Sequence, residues 1–186
     1  VAVSSGTAAL YLALWALDAK DKEVAFPTYA CSALRDAVAM AGAREVILDN
    51  AADSPNIDWS GVKACGAMIS IIPHMFGIPV DITDMPGVNV IEDCAQSIGA
   101  SISGVPVGLH GRVGIFSFYA SKLITSGGQG GMLVSRQRDI IYAIRDYRQF
   151  DCRNDRNKRF NFQMTNLQAA IGRTQLKKLP SFLQRR

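Results

Sequence analysis

The chain has 186 residues, enough for one domain with a sizeable core. With 48% hydrophobic and 19% charged residues, its composition is that of an ordinary soluble globular protein and excludes a disordered chain. A net charge of +4 is too modest to imply nucleic acid, and no apolar run is long enough to span a bilayer, so neither partner is expected.

In chain order, Ser5-Gly6-Thr7 reads as a turn opening a helix, and Ala8 to Leu17 is apolar nearly all round, as a buried helix would be. Val24 to Phe26 is a strand closed by Pro27. Cys31 to Met40 has helical periodicity and ends at Gly42, a C-terminal cap. Glu45 to Leu48 reads as a strand and Ala51 to Gly61 as a polar loop. Ala67 to Ile72 and Val88 to Ile91 are further strands, closed by Pro73-His74 and Glu92-Asp93. Strands follow at Val113 to Phe118 and Met132 to Ser135, then a helix at Ile140 to Tyr147. Arg148 to Arg159 lacks periodicity. Met164 to Leu179 is the clearest amphipathic helix, with Leu167, Ala170, Ile171 and Leu176 on or near one face. Alternating short apolar runs and helical patterns predict a three-layer α/β/α protein with a mainly parallel sheet, as one domain over residues 1–186. Because the chain opens inside an apparent element and stops straight after a helical pattern, it reads as a fragment.

Cys31, Cys65, Cys94 and Cys152 are scattered, with no CxxC, which argues against a disulfide framework. Together with the lack of a visible secretion signal, this suits a reducing cytoplasm. His74 and His110 are the only histidines and have no partner at metal spacing, so no metal site is expected. No Gly-x-Ser-x-Gly elbow supports a hydrolase triad.

Ligands in open α/β sheets bind beyond the carboxyl ends of the strands, so those ends are where chemistry is expected. The Ser5-Gly6-Thr7 turn would offer backbone N–H groups to a phosphate, or serve as a plain helix cap. Asp93 and Glu92 fall on opposite faces of a strand, which disfavours a paired-carboxylate catalyst and leaves one carboxylate aimed into a crevice. Lys122 lies in a small-residue, apolar setting. If buried, its ammonium is disfavoured and it becomes a nucleophilic amine; if not, it is a snorkelling surface lysine. Gly127-Gly128-Gln129-Gly130-Gly131 is permissive backbone and matches neither a P-loop nor GxGxxG. The eight basic residues of Arg136 to Arg159 read as a solvated connector, with contact to a nucleotide-sugar diphosphate as the functional alternative.

Taken in order, these segments resemble a known family. Val90-Ile91-Glu92-Asp93-Cys94-Ala95-Gln96-Ser97-Ile98-Gly99-Ala100 looks like the "EDAAQ..GA" signature of the DegT/DnrJ/EryC1/StrS sugar aminotransferases. Ile115-Phe116-Ser117-Phe118-Tyr119-Ala120-Ser121-Lys122, running on to Gly130-Gly131-Met132, resembles its "FSF…K…GEGG" segment. Ser5-Gly6-Thr7-Ala8 looks like its phosphate turn, and Asn161 through Ala170 to Gln175-Leu176 is similar to its "NyRm..lqAA…QL" helix.

The resemblance implies the large domain of a fold-type-I enzyme that uses pyridoxal 5′-phosphate (PLP). Lys122 would form the Schiff base with the cofactor, and Asp93 would pair with the ring nitrogen. Gln96 would contact the phenolate side of the ring. Gly6, Thr7 and Ser117 would cradle the phosphate, and Asn161 would reach toward the partner's cofactor across a homodimer interface. The donor would be glutamate and the acceptor a nucleotide-linked keto-sugar. Departures from the family pattern are Cys31, where a ring-stacking aromatic is usual, Gln129 for Glu and Gln163 for Arg; Tyr29 could replace the missing aromatic. The family chain is about twice this length by resemblance. Two alternatives stay open: a PLP-fold binding or regulatory module, or truncated inactive homologue, and a sugar dehydratase, whose family members carry His in place of the lysine.

Overall fold

The computed structural model describes residues 1–83, 86–151 and 153–185, so Cys152 and Arg186 lie outside the described residues. The strands are β1 (Ala2–Val3), β2 (Glu23–Pro27), β3 (Arg44–Leu48), β4 (Ile69–Pro73), β5 (Asn89–Asp93), β6 (Ser101–Ile102), β7 (Val105–Pro106), β8 (Val113–Ser117) and β9 (Gly131–Val134). The helices are α1 (Gly6–Ala16), α2 (Ala33–Met40), α3 (Trp59–Ala64), α4 (Arg138–Arg148), α5 (Asn166–Lys177) and α6 (Leu179–Gln184). Seven strands form one sheet in the order β1-β9-β8-β5-β4-β2-β3, while β6 and β7 make a separate hairpin. From β3 through β8 the neighbours run parallel; β9 is antiparallel to β8, and β1 to β9.

Successive strand residues point to opposite faces, and the apolar clusters follow that alternation. Ile69, Ile71 and Ile91 pack with α1, α2 and α4 on one face. Ile72 and Val90 pack with Ile57, Val62 and Trp59 on the other. Helices thus cover both faces, the expected three layers. β4 is buried at every position, which explains why its sequence is a continuous apolar run without alternation. The central helix α1 buries Ala8, Ala9, Leu10, Leu12, Ala13 and Leu14, leaving it no polar face to show.

Several boundaries differ from the sequence reading. α1 starts two residues earlier than the apolar run because Ser5 caps it, its Oγ accepting from Ala8 N at 3.0 Å. The polar loop expected over residues 51–61 gives way to α3 at Trp59. That helix is capped by Asp58 and buries only Val62, so it carries no periodic apolar signal. The expected helix from Met164 to Leu179 is two helices. α5 is bounded by a Thr165–Gln168 capping box, and a second helix follows with Pro180 in its first turn. None of α5 is buried within the chain: Leu167 is 80% exposed, and Ile171 and Leu176 are also exposed. Its half-buried side holds Ala169 and Gly172 instead. The apolar face read from the sequence is there, but this chain does not cover it. β1, β6 and β7, at two residues each, are too short to leave a pattern.

The basic connector is solvated, with residues 153–158 exposed, but it is anchored at two arginines. Arg159, only 5% exposed in its side chain, pairs with Asp146 and Asp155, and Arg153 also pairs with Asp146. Phe160 and Phe162 then pack against Tyr147, and Phe162 against Tyr11 of α1. No described helix is long and apolar enough to cross a membrane.

Candidate functional site

In the parallel part of the sheet, the chain moves outward from β2 to β3 and returns on the other side through β4, β5 and β8. That reversal opens a crevice beyond the carboxyl ends of β2 and β4. A cavity of about 290 Å³ lies there. It is lined from the start of α1 (Ser5, Gly6, Thr7), the residues after β2 (Cys31), the ends of β4 and β5 (His74, Asp93, Gln96), and β8 with its following loop (Ser117, Lys122). Segments more than 100 residues apart therefore converge on one cavity.

One end of the cavity is suited to an anion by local helix chemistry. In the first turn of α1, Ser5 satisfies Ala8 N through its side chain and Ala9 N through its carbonyl. The amides of Gly6 and Thr7 have no acceptor among the described residues and stand at the positive end of the helix dipole. Ser117 closes this end. A Cβ built on Gly6 would lie 2.8 Å from Ser117 Cβ and 3.0 Å from its Oγ, so only glycine lets α1 approach β8 this closely. A Gly6→Ala substitution should push α1 off β8 and weaken binding of a phosphate-bearing ligand roughly tenfold or more. Titration with pyridoxal phosphate against the unsubstituted protein measures this; equal affinities would remove the cradle from this turn.

At the other end, β5 sends its two last carboxylates apart, as strand alternation requires. Asp93 lines the cavity, is 8% exposed, and among the described residues its side chain accepts a single hydrogen bond, from Ala95 N at 2.9 Å. Burial raises its carboxyl above the ordinary aspartate value, against the opposing pull of that N–H and of the Lys122 charge. A buried carboxyl with an unfilled acceptor, near a lysine, suits a cationic partner in the cavity.

Glu92 points the other way and is fully buried. It accepts four bonds: from Gly108 N (2.8 Å), His110 N (2.8 Å), Gly111 N (2.6 Å) and His74 Nε2 (3.1 Å). Burial alone would raise its carboxyl, but the His74, Gly111 and Gly108 donors outweigh that and hold it below the usual glutamate value. His74 is fixed by the same bonds. Its Nδ1 accepts from Val80 N at 3.0 Å, so the ring proton sits on Nε2 and is donated to Glu92. His74, Glu92 and Cys94 offer ligand atoms within 4.8 Å of one another. With both ring nitrogens engaged and the Cys94 thiol pushed well up by burial and by the Glu92 and Asp93 charges, this group is a structural anchor rather than a metal centre.

Gln96 reaches the cavity from the loop after β5. Its Oε1 accepts from Phe76 N at 3.1 Å, and its Nε2 makes only a 3.8 Å contact with Met75 Sδ. Lys122 is half-buried, and its Nζ has no hydrogen bond or ion pair among the described residues. The loop presenting it is closed at its base by Ser126 N to Phe118 O (3.0 Å) and Ala120 N to Gly128 O (3.0 Å). Gly127 and Gly128, at φ of 83° and 145°, supply the backbone that this closure needs.

Of the residues singled out from sequence, Gly6, Thr7, Asp93, Gln96, Ser117 and Lys122 share the cavity. Asn161 does not. It is exposed, and its Oδ1 accepts from Gln163 N. Cys31 and Gln129 line the wall, whereas Tyr29 is exposed outside it, 6.4 Å from the Phe76 ring. The roles of His74 and Glu92 were missed, although both positions close strands that the sequence marked.

A sequence profile of the DegT/DnrJ/EryC1/StrS aminotransferase family matches residues 1–186. A UDP-N-acetyl-3-dehydro-alpha-D-glucosamine 3-aminotransferase of Acidithiobacillus ferrooxidans is 33% identical, with 98% of this chain and 53% of that protein covered. A GDP-perosamine synthase of Vibrio cholerae is 35% identical, with the same coverages. The crystal structure of S. venezuelae DesV in complex with a ketimine intermediate superposes with a TM-score of 0.90 at 30% identity, covering 97% of this chain and 52% of that one. The chain spans about half the length of the curated relatives it matches.

Proposed function

Because the chain belongs to the DegT/DnrJ/EryC1/StrS aminotransferase family, we propose that it is the cofactor-binding part of a PLP-dependent sugar aminotransferase with Lys122 as the catalytic amine. The observation that carries this reading is the meeting of Lys122, Asp93, Gln96 and the free Gly6 and Thr7 amides in one cavity. The residues fit the cofactor: a lone amine for its aldehyde, a desolvated carboxyl for its ring nitrogen, and a dipole end with two amides for its phosphate.

Bound there, PLP supplies an electron sink for the carbon that loses its proton. Asp93 would hold a proton on the ring nitrogen, and a cationic ring would in turn relieve the cost of the carboxylate's own desolvation. Gly6, Thr7 and Ser117 would hold the phosphate. Lys122 Nζ, which lines the cavity, would be the amine placed to hold the cofactor at its aldehyde end. The same Lys122 Nζ would be the group placed to accept and return the proton that the reaction moves. Glutamate is the donor in this reading. The nucleotide-linked sugars in the relatives' names support a nucleotide-linked keto-sugar as acceptor. The uncovered apolar face of α5 supports a homodimer in which Asn161 approaches the partner's cofactor. The free thiols Cys31, Cys65 and Cys94 suit a cytoplasmic setting.

Absorption spectroscopy of the purified full chain tests this. PLP should give a bound-cofactor spectrum, glutamate should convert it to that of the pyridoxamine form, and a nucleotide-linked keto-sugar should restore it. Uptake of PLP with a spectrum that no amino donor changes would replace the aminotransferase with a binding module. No uptake would end the reading.

A further inference from the structure

The geometry points to Asn56, outside the cavity and distant in sequence from the residues lining it, as a positioning residue that sets which end of the Gln96 amide faces the cofactor. This rests on the function proposed above. After β4 the chain makes a tight turn, Met75–Gly77, whose central residue is strained: Phe76 has φ 56° and ψ 20°, in the left-handed region, although it carries a side chain. Such a residue persists only where its surroundings over-determine it.

Asn56 supplies much of that determination. Its side chain is 5% exposed and spans the turn, with Oδ1 accepting from Met75 N at 2.9 Å and Nδ2 donating to Ile78 O at 3.1 Å. Ile78 N to Met75 O closes the turn at 2.9 Å. The strain has a visible product, because the turn presents Phe76 N–H to Gln96 Oε1. An N–H can bond only the oxygen end of that amide, so Nε2 is left as the donor end. Among the described residues, Nε2 has nothing stronger than the Met75 sulfur to hold it. Gln96 and Met75 both line the cavity. The amide is thereby set to donate to an anionic oxygen on the cofactor ring rather than to oppose it with its own oxygen. The chain of causes runs from Asn56 to the turn, from the turn to the Phe76 amide, and from that amide to Gln96.

A donor on the ring oxygen favours its anionic state, so losing that donor raises the pH at which the bound cofactor's absorption changes. In the cofactor-loaded full chain, Gln96→Ala should raise this midpoint by roughly one pH unit. Asn56→Ala should move it in the same direction, and adding Asn56→Ala to Gln96→Ala should move it no further, since both act through one bond. A second substitution separates positioning from general loss of stability. Phe76→Gly removes the left-handed strain and should restore the midpoint in the Asn56→Ala background.

In the cofactor-free chain, hydrogen exchange at the Phe76 amide should be fast in Asn56→Ala and in Gln96→Ala. An unmoved midpoint in Asn56→Ala beside a shifted one in Gln96→Ala would overturn the inference. So would additive shifts, or a Phe76 amide that stays protected in Asn56→Ala. Those outcomes leave the proposed function standing, whereas a wild-type chain that takes up no PLP sinks both.

Discussion

Replacing Lys122 with Ala should leave a folded protein that binds PLP only reversibly and has lost its amino-transfer rate by on the order of 10⁴-fold, the upper end of what a positioned proton-transfer group supplies. The fold should survive because the Lys122 Nζ makes no hydrogen bond or ion pair among the described residues, while its loop is held by backbone bonds at Phe118, Ala120, Ser126 and Gly128. In the proposed site the phosphate and ring-nitrogen contacts would be made by other segments, so affinity should fall far less than rate. Dialysis should therefore strip the cofactor from Lys122→Ala and not from the wild type. A small external amine should recover part of the rate by entering the space the side chain leaves. A variant that keeps its cofactor through dialysis and turns over at an ordinary rate would remove Lys122 from the chemistry.

The largest effect on stability is expected at a residue that never meets the ligand. Glu92→Gln should cost about 3–5 kcal/mol, because its four donors then face an amide that can accept at only one end. The NH2 group must oppose an N–H from either pair: Gly111 and His110, or Gly108 and His74. His74 cannot relieve this by moving its proton, since Nδ1 is already committed to the Val80 amide. For a chain of this size the melting temperature should drop by roughly 10 °C at pH 7.

The same residue sets a pH dependence. Glu92 is held below its ordinary value of 4.5 in the folded state, so its contribution is complete above that pH and is lost as pH falls through the folded value. Asp93 works in the opposite direction: its raised carboxyl stabilises the empty fold at low pH and costs stability once ionised. Thermal melts of wild type and Glu92→Gln between pH 3 and 7 separate the two, since the variant should lose less stability on acidification. Superimposable curves would show that the four-donor arrangement carries no energy.

How much of this was legible in the sequence depends on whether a residue's meaning is local. β4 and β5 declared themselves as apolar runs, and α1 as a helix without a polar side, because burial on all sides leaves one kind of pattern. The Ser5 cap, the Gly42 stop at φ 66°, and the opposed carboxylates of Glu92 and Asp93 follow from rules spanning a few residues. Lys122 alone was ambiguous and gained meaning only beside Asp93, Gln96 and the Gly6–Thr7 turn. Asn56 was invisible. It sits in a polar loop like any other asparagine, and its two bonds go to backbone atoms about twenty residues on. The Glu92–His74 pair was hidden for the same reason: nothing within a few residues of either shows that the other exists. The apolar face of α5 was legible and its exposure was not, because amphipathicity shows that a face is apolar but not what covers it.

The outer edge of the sheet has a consequence in time. Ala2 and Val3 pair only with Met132 and Gly131, about 130 residues downstream. At a synthesis rate of roughly 5–20 residues per second, the first strand waits about 7–26 s for its neighbour. Throughout that interval α1, with no hydrophilic side, lacks the β8 and β9 surface it packs against, and the Gly6–Thr7 turn at its head has no opposite wall. The nascent chain thus carries its stickiest helix longest without its full shelter. The cavity is complete only once Ser117, Lys122 and Gln129 have joined its wall, so cofactor uptake during translation would report the arrival of that segment.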